Sequence, residues 1–126
     1  MSDKKYPYVT HMNVLYDSSQ LIDVQALVEK CTDRWYNQTL CEVNDSVVRL
    51  GIFQGEYHWH KHEKEDEFFF TLEGKLIIDI KGAASVELYP WQGYVVPKGV
   101  VHKPRAPVKT VVLMVESAGI IPTGDA

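Results

Sequence analysis

Three histidines fall at alternate positions in GEYHWHKHEKEDEFFFTLEG, residues 55–74: His58, His60 and His62. Alternate side chains of a β-strand leave on the same face. An extended backbone here would aim three imidazoles one way, and Trp59 and Lys61 the other. Just past a short charged stretch stands Glu67, followed by Phe68, Phe69 and Phe70. Another histidine, His102, lies far along the chain in VPKGVVHKPRAP. Imidazole nitrogen with carboxylate oxygen is a donor set for a first-row divalent ion. Strands about 4.8 Å apart can bring His60, His62 and Glu67 to one point, and His102 completes the set if the chain folds back to them. An octahedral Mn, Fe, Co or Ni ion on these four residues would keep two positions for water or substrate, whereas Zn would fill up or change geometry. His58 shares the face of His60 one step farther from Glu67. It is the candidate for holding a ligand or moving a proton, with a hydrogen-bonded barrel histidine as the alternative.

Other side chains around these donors are candidate substrate contacts. Lys98, Lys103 and Arg105 crowd the sequence near His102, and cations beside open coordination positions suit a carboxylate or phosphate. If strand alternation sends Lys103 outward, all three are merely solvated. Phe69 has the parity of Glu67 and should face inward, as core or as a stacking ring, and Tyr94 is a candidate for the pocket mouth. Tyr57 and Trp59 share the opposite face and should pack on a second sheet or a partner subunit. Asp66 is placed either in a solvated loop or behind a ligand histidine.

The elements that must position these residues are mostly strands. Residues 1–16 read as an arm containing YPYV. Residues 17–30, DSSQLIDVQALVEK, predict a helix capped by Asp17 with Gln20 as reciprocal partner, and with Leu21, Val24, Leu27 and Val28 as its apolar stripe. From residue 35 to 116 the pattern is short strands between turns. Trp35 to Val43 and Val47 to Phe53 form a hairpin about Asn44-Asp45-Ser46, with a bulge at Gly55-Glu56. Phe68 to Leu72 and Leu76 to Ile80 read as a second hairpin. Val86 to Tyr89, Tyr94 to Val96 and Thr110 to Glu116 follow, and Pro104 and Pro107 suit only an edge or irregular segment. Residues 117–126 read as a tail. One helix before many strands implies a single all-β barrel or sandwich domain over residues 1–126.

The totals exclude several classes. With 126 residues and a net charge of −4, the chain offers no global attraction to nucleic acid or anionic membrane. Two cysteines, Cys31 and Cys41, make no disulfide framework and lack C-x-x-C spacing. No signal core and no apolar run of spanning length is present, so a cytoplasmic protein with reduced thiols is expected.

The spacing of two separated motifs resembles the cupin superfamily. His60-x-His62, four residues, Glu67, six residues and Gly74 fit the first motif, and Pro97-x-Gly99, two residues and His102 fit the second. The leading glycines are offset, to Gly55 and Gly93, and Ala106 stands where the second motif has asparagine. The resemblance covers roughly residues 45–116 and implies a double-stranded β-helix, or jelly-roll, barrel with one N-terminal helix and one divalent metal inside. Closer still, HWHKH…EDEFFF…LEGKL…VVPKGVVHKP and the final PTGD look like small single-domain cupins described as similar to mannose-6-phosphate isomerase. That resemblance implies a metal-dependent enzyme on a small anionic molecule such as a sugar or sugar phosphate, of isomerase or epimerase type. An Fe-dependent dioxygenase and a non-catalytic ligand- or metal-binding module are the rivals. The YPYV arm and the pair Tyr57 and Trp59 suggest a homodimer, as is common among such small cupins.

Overall fold

A computed structural model of the chain describes residues 6–125; the first part of the expected arm lies outside them. Eight strands and one helix follow in the order β1 (Val9–His11), α1 (Val24–Lys30), β2 (Trp35–Val43), β3 (Ser46–Glu56), β4 (Glu67–Glu73), β5 (Leu76–Ile80), β6 (Val86–Leu88), β7 (Gly93–Val96) and β8 (His102–Ser117). The hydrogen-bonded path runs β1-β2-β3-β8-β4-β7, with β5 joined to β8 and carrying β6. All pairings are antiparallel except that of β1 with β2.

The long strand β8 holds the architecture together. Its first residues, His102 to Arg105, pair with β5, its later ones, Val111 to Glu116, pair with β4, and β3 flanks it on the other side. Residues 107–109 have no ladder partner, because the β3 register jumps from Phe53↔Thr110 to Gly55↔Ala106. Pro107 stands at that corner, where its missing N–H is not needed. Pro104 keeps its carbonyl as an acceptor, for the Tyr57 N–H at 3.0 Å. Pro104 therefore lies within a paired strand, not at the edge or irregular segment the sequence suggests, whereas Pro107 does sit at an irregular, unpaired position.

Alternation separates two apolar clusters. On β2 and β3, Trp35 and Phe53 face the barrel interior with Tyr57, Phe69, Leu76, Ile78, Val112 and Met114. Leu40, Leu50 and Ile52 face outward, where Ile22, Val24, Leu27 and Val28 cover them. The expected helix is shorter than 17–30. Asp23 is its cap, accepting from the Ala26 N–H at 3.1 Å. Asp17 and Gln20 do interact, through the Asp17 N–H donating to Gln20 Oε1 at 2.6 Å, but the bond closes a turn that contains Ser19 at φ 68°. Leu21 precedes the helix and is 89% exposed, so Ile22 replaces it in the stripe.

Two further expectations change. β4 and β5 follow one another through Gly74 but share no ladder; each pairs with a different part of β8, so they are not a hairpin. The stretch carrying His58, His60 and His62 is not a regular strand, and only His60 makes a bridge, to His102. Residues 120–125 are more than a tail: they run back across that stretch, with Ile120 buried. Among the described residues no helix is long and apolar enough to cross a membrane, and Cys31 and Cys41 are free thiols.

Candidate metal centre

The site begins beyond the bulge after Phe53, where Gly55 takes φ 108° and the chain leaves β3 after Glu56. Residues 57–62 then lie against the start of β8. The His60 N–H donates to the His102 carbonyl at 3.0 Å and the His102 N–H returns a bond to the His60 carbonyl at 2.9 Å. This sets the two rings side by side, with centroids 4.3 Å apart. The turn Pro97-Lys98-Gly99 holds the next histidine in place, since the Gly99 N–H donates to the His62 carbonyl at 2.8 Å. Asp66 braces that turn by accepting from the Lys98 N–H at 2.9 Å, and so it supports the loop and not a ligand histidine directly. Glu67 opens β4, opposite Glu116 of β8.

These pairings bring the four sequence-distant donors together. One ligand atom from each of His60, His62, Glu67 and His102 lies within 4.8 Å of the others, and all four residues are buried. His62 Nε2 and His102 Nε2 are each 3.5 Å from Glu67 Oε1. The Nδ1 atoms of His60 and His102 contact the carbonyls of His58 and Val100 at 3.0 and 2.9 Å. A carbonyl can only accept, so those nitrogens carry the proton and Nε2 is left as a lone-pair donor.

The residues fit a divalent cation. His62 Nε2, His102 Nε2 and Glu67 Oε1 are buried without a hydrogen-bond partner, although they face one another. Orphaned buried polar atoms are rare because each is costly, and one ion would satisfy all three. Burial, reinforced by neighbouring His102, pushes the His60 imidazolium down to about 3, so the ring is the neutral form that ligates. For Glu67, burial pushes upward, but contacts with His102, His62 and Glu116 prevail and hold it ionised. Glu116 is raised well above the carboxylic range by burial, then by the charge of Glu67. It is the protonated member of the pair.

Behind Glu116 lies Arg49, with Nε 3.2 Å from Glu116 Oε1 and 2.8 Å from Asn37 Oδ1, and with Nη1 2.7 Å from Thr39 Oγ1. Sequence reading passed over Arg49 and Glu116. The available signal was parity, since both sit on inward positions of strands whose inward neighbours are apolar.

Beside the donors is a narrow cavity of about 20 Å³, lined by Trp35, Asn37, Phe53, Tyr57, His60, Glu67, Phe69, Pro104, Met114 and Pro122. Phe69 thus lies where its parity places it. Tyr57 does not face outward: it is buried, edge-on to His60, and its hydroxyl donates to the Pro122 carbonyl at 3.1 Å. Trp59, its expected companion, is half exposed with Lys103 above its ring.

The basic residues do not line this cavity. Lys103 Nζ is 2.9 Å from Glu56 Oε1, Arg105 Nε is 2.8 Å from Asp79 Oδ2, and Lys98 is exposed on its turn. Tyr94 packs half-buried against the interior cluster, outside the cavity wall. His58 is also outside the ligand group. Its Nδ1 contacts the Tyr8 hydroxyl at 3.2 Å, its Nε2 contacts the Thr123 carbonyl at 2.7 Å, and its ring stacks on Tyr6 and Tyr57. With both nitrogens engaged, His58 ties the two ends of the described chain together.

Residues 49–116, more than half of the chain, match the family model described as the cupin domain. The chain is a cupin. An uncharacterized Bacillus subtilis protein, YdbB, is 41% identical over 98 residues, which is 78% of this cupin and 87% of that relative. A crystal structure of a cupin-2 domain containing protein from Shewanella frigidimarina superposes with a TM-score of 0.72 at 31% identity, covering 77% of this chain and 94% of that one. An uncharacterized Klebsiella pneumoniae protein with a double-stranded β-helix domain, 19% identical, shares the fold at a TM-score of 0.68 over 81% of this cupin and 87% of its own chain. The match to the family begins at Arg49 and ends at Glu116, the buried pair behind Glu67.

Proposed function

We propose that this cupin is a metal-dependent enzyme with one divalent ion on His60, His62, Glu67 and His102, acting on a small and largely uncharged molecule. The observation that carries this reading is the wall next to the donors. His60 and Glu67 share their cavity with Trp35, Phe53, Tyr57, Phe69 and Met114, and among the described residues no lysine or arginine lines it. Bound there, a divalent ion supplies Lewis acidity toward a ligand oxygen and, if it is iron, one-electron chemistry with O₂. The chain's own residues exclude water, offer flat rings to a planar ligand and hold His60 and His102 by their outer nitrogens. Asn37 is the neutral polar group in the wall.

This lining supports a dioxygenase on an apolar substrate over a sugar phosphate isomerase. An anionic substrate needs a cation beside the open coordination positions, and Lys103 and Arg105 are committed to Glu56 and Asp79. A homodimer stays part of the proposal on the exposed Trp59 alone, and light scattering at micromolar protein tests it.

The deciding experiment uses protein purified without an affinity tag. Elemental analysis of wild type and His60→Ala comes first, then oxygen uptake by Fe-loaded protein with phenols, diketones and sugar phosphates. Uptake with the uncharged compounds supports the reading. Oxygen-independent conversion of a sugar phosphate, or ligand-induced stabilisation with no turnover, replaces it with the isomerase or the binding module.

A further inference from the structure

Two of the ligand histidines are held from behind, and the third is not. The Nδ1 atoms of His60 and His102 donate to backbone carbonyls, whereas His62 Nδ1 is buried with no hydrogen-bond partner among the described residues. His62 is 2% exposed, so solvent does not serve that nitrogen. A ring nitrogen of His62 and carboxylate oxygens of Glu65 and Asp125 lie within 4.8 Å of one another. Since Nε2 is turned to Glu67, Nδ1 is the nitrogen that faces this second group.

Asp125 is the better placed of the two carboxylates. Its N–H donates to the Lys61 carbonyl at 3.0 Å and its Oδ2 accepts from the Glu63 N–H at 2.6 Å. It is therefore clamped to the residues on either side of His62. The segment that carries it is fixed as well, by Tyr57 on Pro122 and His58 on Thr123, while Gly124 packs against His60.

We infer that Asp125 is the positioning residue of His62: its carboxylate accepts the Nδ1–H when the metal draws Nε2, fixing the tautomer and making residues 120–125 part of the metal centre. One of its carboxylate oxygens already lies within 4.8 Å of a ring nitrogen of His62. Carboxylates behind ligand histidines raise the basicity of the ring and hold its plane, and losing such a partner typically costs about 10- to 100-fold in metal affinity. Glu65 has no comparable clamp and serves as the internal control. The inference rests on metal binding by His60, His62, Glu67 and His102.

The test measures Zn²⁺ affinity by competition with a chelator for wild type, Asp125→Asn, Asp125→Ala, Glu65→Gln and His102→Ala, and records imidazole ¹⁵N spectra of the Zn-loaded forms. The expected result is a loss of about tenfold or more in Asp125→Asn and Asp125→Ala, near-wild-type affinity in Glu65→Gln, and a His62 Nδ1–H resonance that shifts only in the Asp125 variants. Asparagine can still accept from the Glu63 N–H, so Asp125→Asn separates the lost carboxylate from a lost segment. Wild-type affinity in Asp125→Asn, a greater loss in Glu65→Gln, or a second equivalent of Zn²⁺ bound at residues 62, 65 and 125 overturns the inference. Failure of wild type to bind Zn²⁺ more tightly than His102→Ala overturns the underlying metal reading instead.

Discussion

His60 and His102, far apart in sequence, exchange two backbone hydrogen bonds of 3.0 and 2.9 Å, and this single bridge lays one half of the donor set on the other. The donors are thus positioned by backbone pairing before any ion arrives. Replacing His102 by alanine leaves the bridge intact, because its bonds are main-chain, but removes one of four ligands. The expected outcome is a folded protein with unchanged far-UV circular dichroism that retains little metal on elemental analysis. For wild type, adding metal at about 100 times its Kd should stabilise by roughly 2.7 kcal/mol, read as a rise in Tm that His102→Ala lacks.

His60 makes the metal-free protein acid-sensitive. Its folded-state value is lowered from 6.5 to about 3, first by burial and then by neighbouring His102. The unfolded chain therefore binds one proton more than the folded chain between those values. Stability contributed by the neutral ring is fully present above the unfolded value and is lost as pH falls through that window, with a slope near 1.4 kcal/mol per pH unit at its steepest. Urea unfolding of metal-free protein at pH 7, 6 and 5 measures the slope. His60→Gln should flatten it by close to one proton.

Arg49 and Glu116 are buried against each other behind the site, with Nε 3.2 Å from Oε1. Truncating one partner strands the other without solvent. Glu116→Ala should destabilise by roughly 1–3 kcal/mol by leaving the buried guanidinium without that oxygen, seen as a lower urea midpoint. Because Glu116 is the protonated member beside Glu67, Glu116→Gln keeps shape and donor and should cost far less.

Gly124 lies at φ 95°, and a Cβ there would stand 2.6 Å from His60 Cβ. Gly124→Ala is both strained and clashing, with a cost of about 1–3 kcal/mol. The expected sign is faster amide exchange at Asp125 and Glu63, whose N–H groups are protected only while the segment is seated. Unchanged exchange at those two amides would refute the account of the segment as a fixed wall.

The clustering of the four donors and the barrel class were legible because both rest on short-range rules: parity in His60-x-His62, turn chemistry at Pro97-Lys98-Gly99 and strand lengths between turns. What stayed hidden depended on long-range packing. Tyr57 was assigned outward by counting alternation from His58, but the bulge at Gly55 and the irregular backbone beyond it reset the parity. Lys103 and Arg105 looked like substrate contacts because sequence nearness to His102 does not reveal Glu56 and Asp79 on neighbouring strands. Asp17 did bond Gln20, yet Ser19 in a left-handed conformation turned a capping pair into a separate turn. Nothing in SAGIIPTGDA by itself says that it returns to the histidines.

The strand β8 carries a candidate metal donor at its start, His102, and the carboxyl group that faces Glu67 near its end, Glu116, both on even-numbered positions that point inward. A one-residue insertion or deletion anywhere between them would invert the facing of one end relative to the other. Length variation along this strand should therefore be tolerated only in steps of two, with the unpaired corner at 107–109 the place where such a step fits.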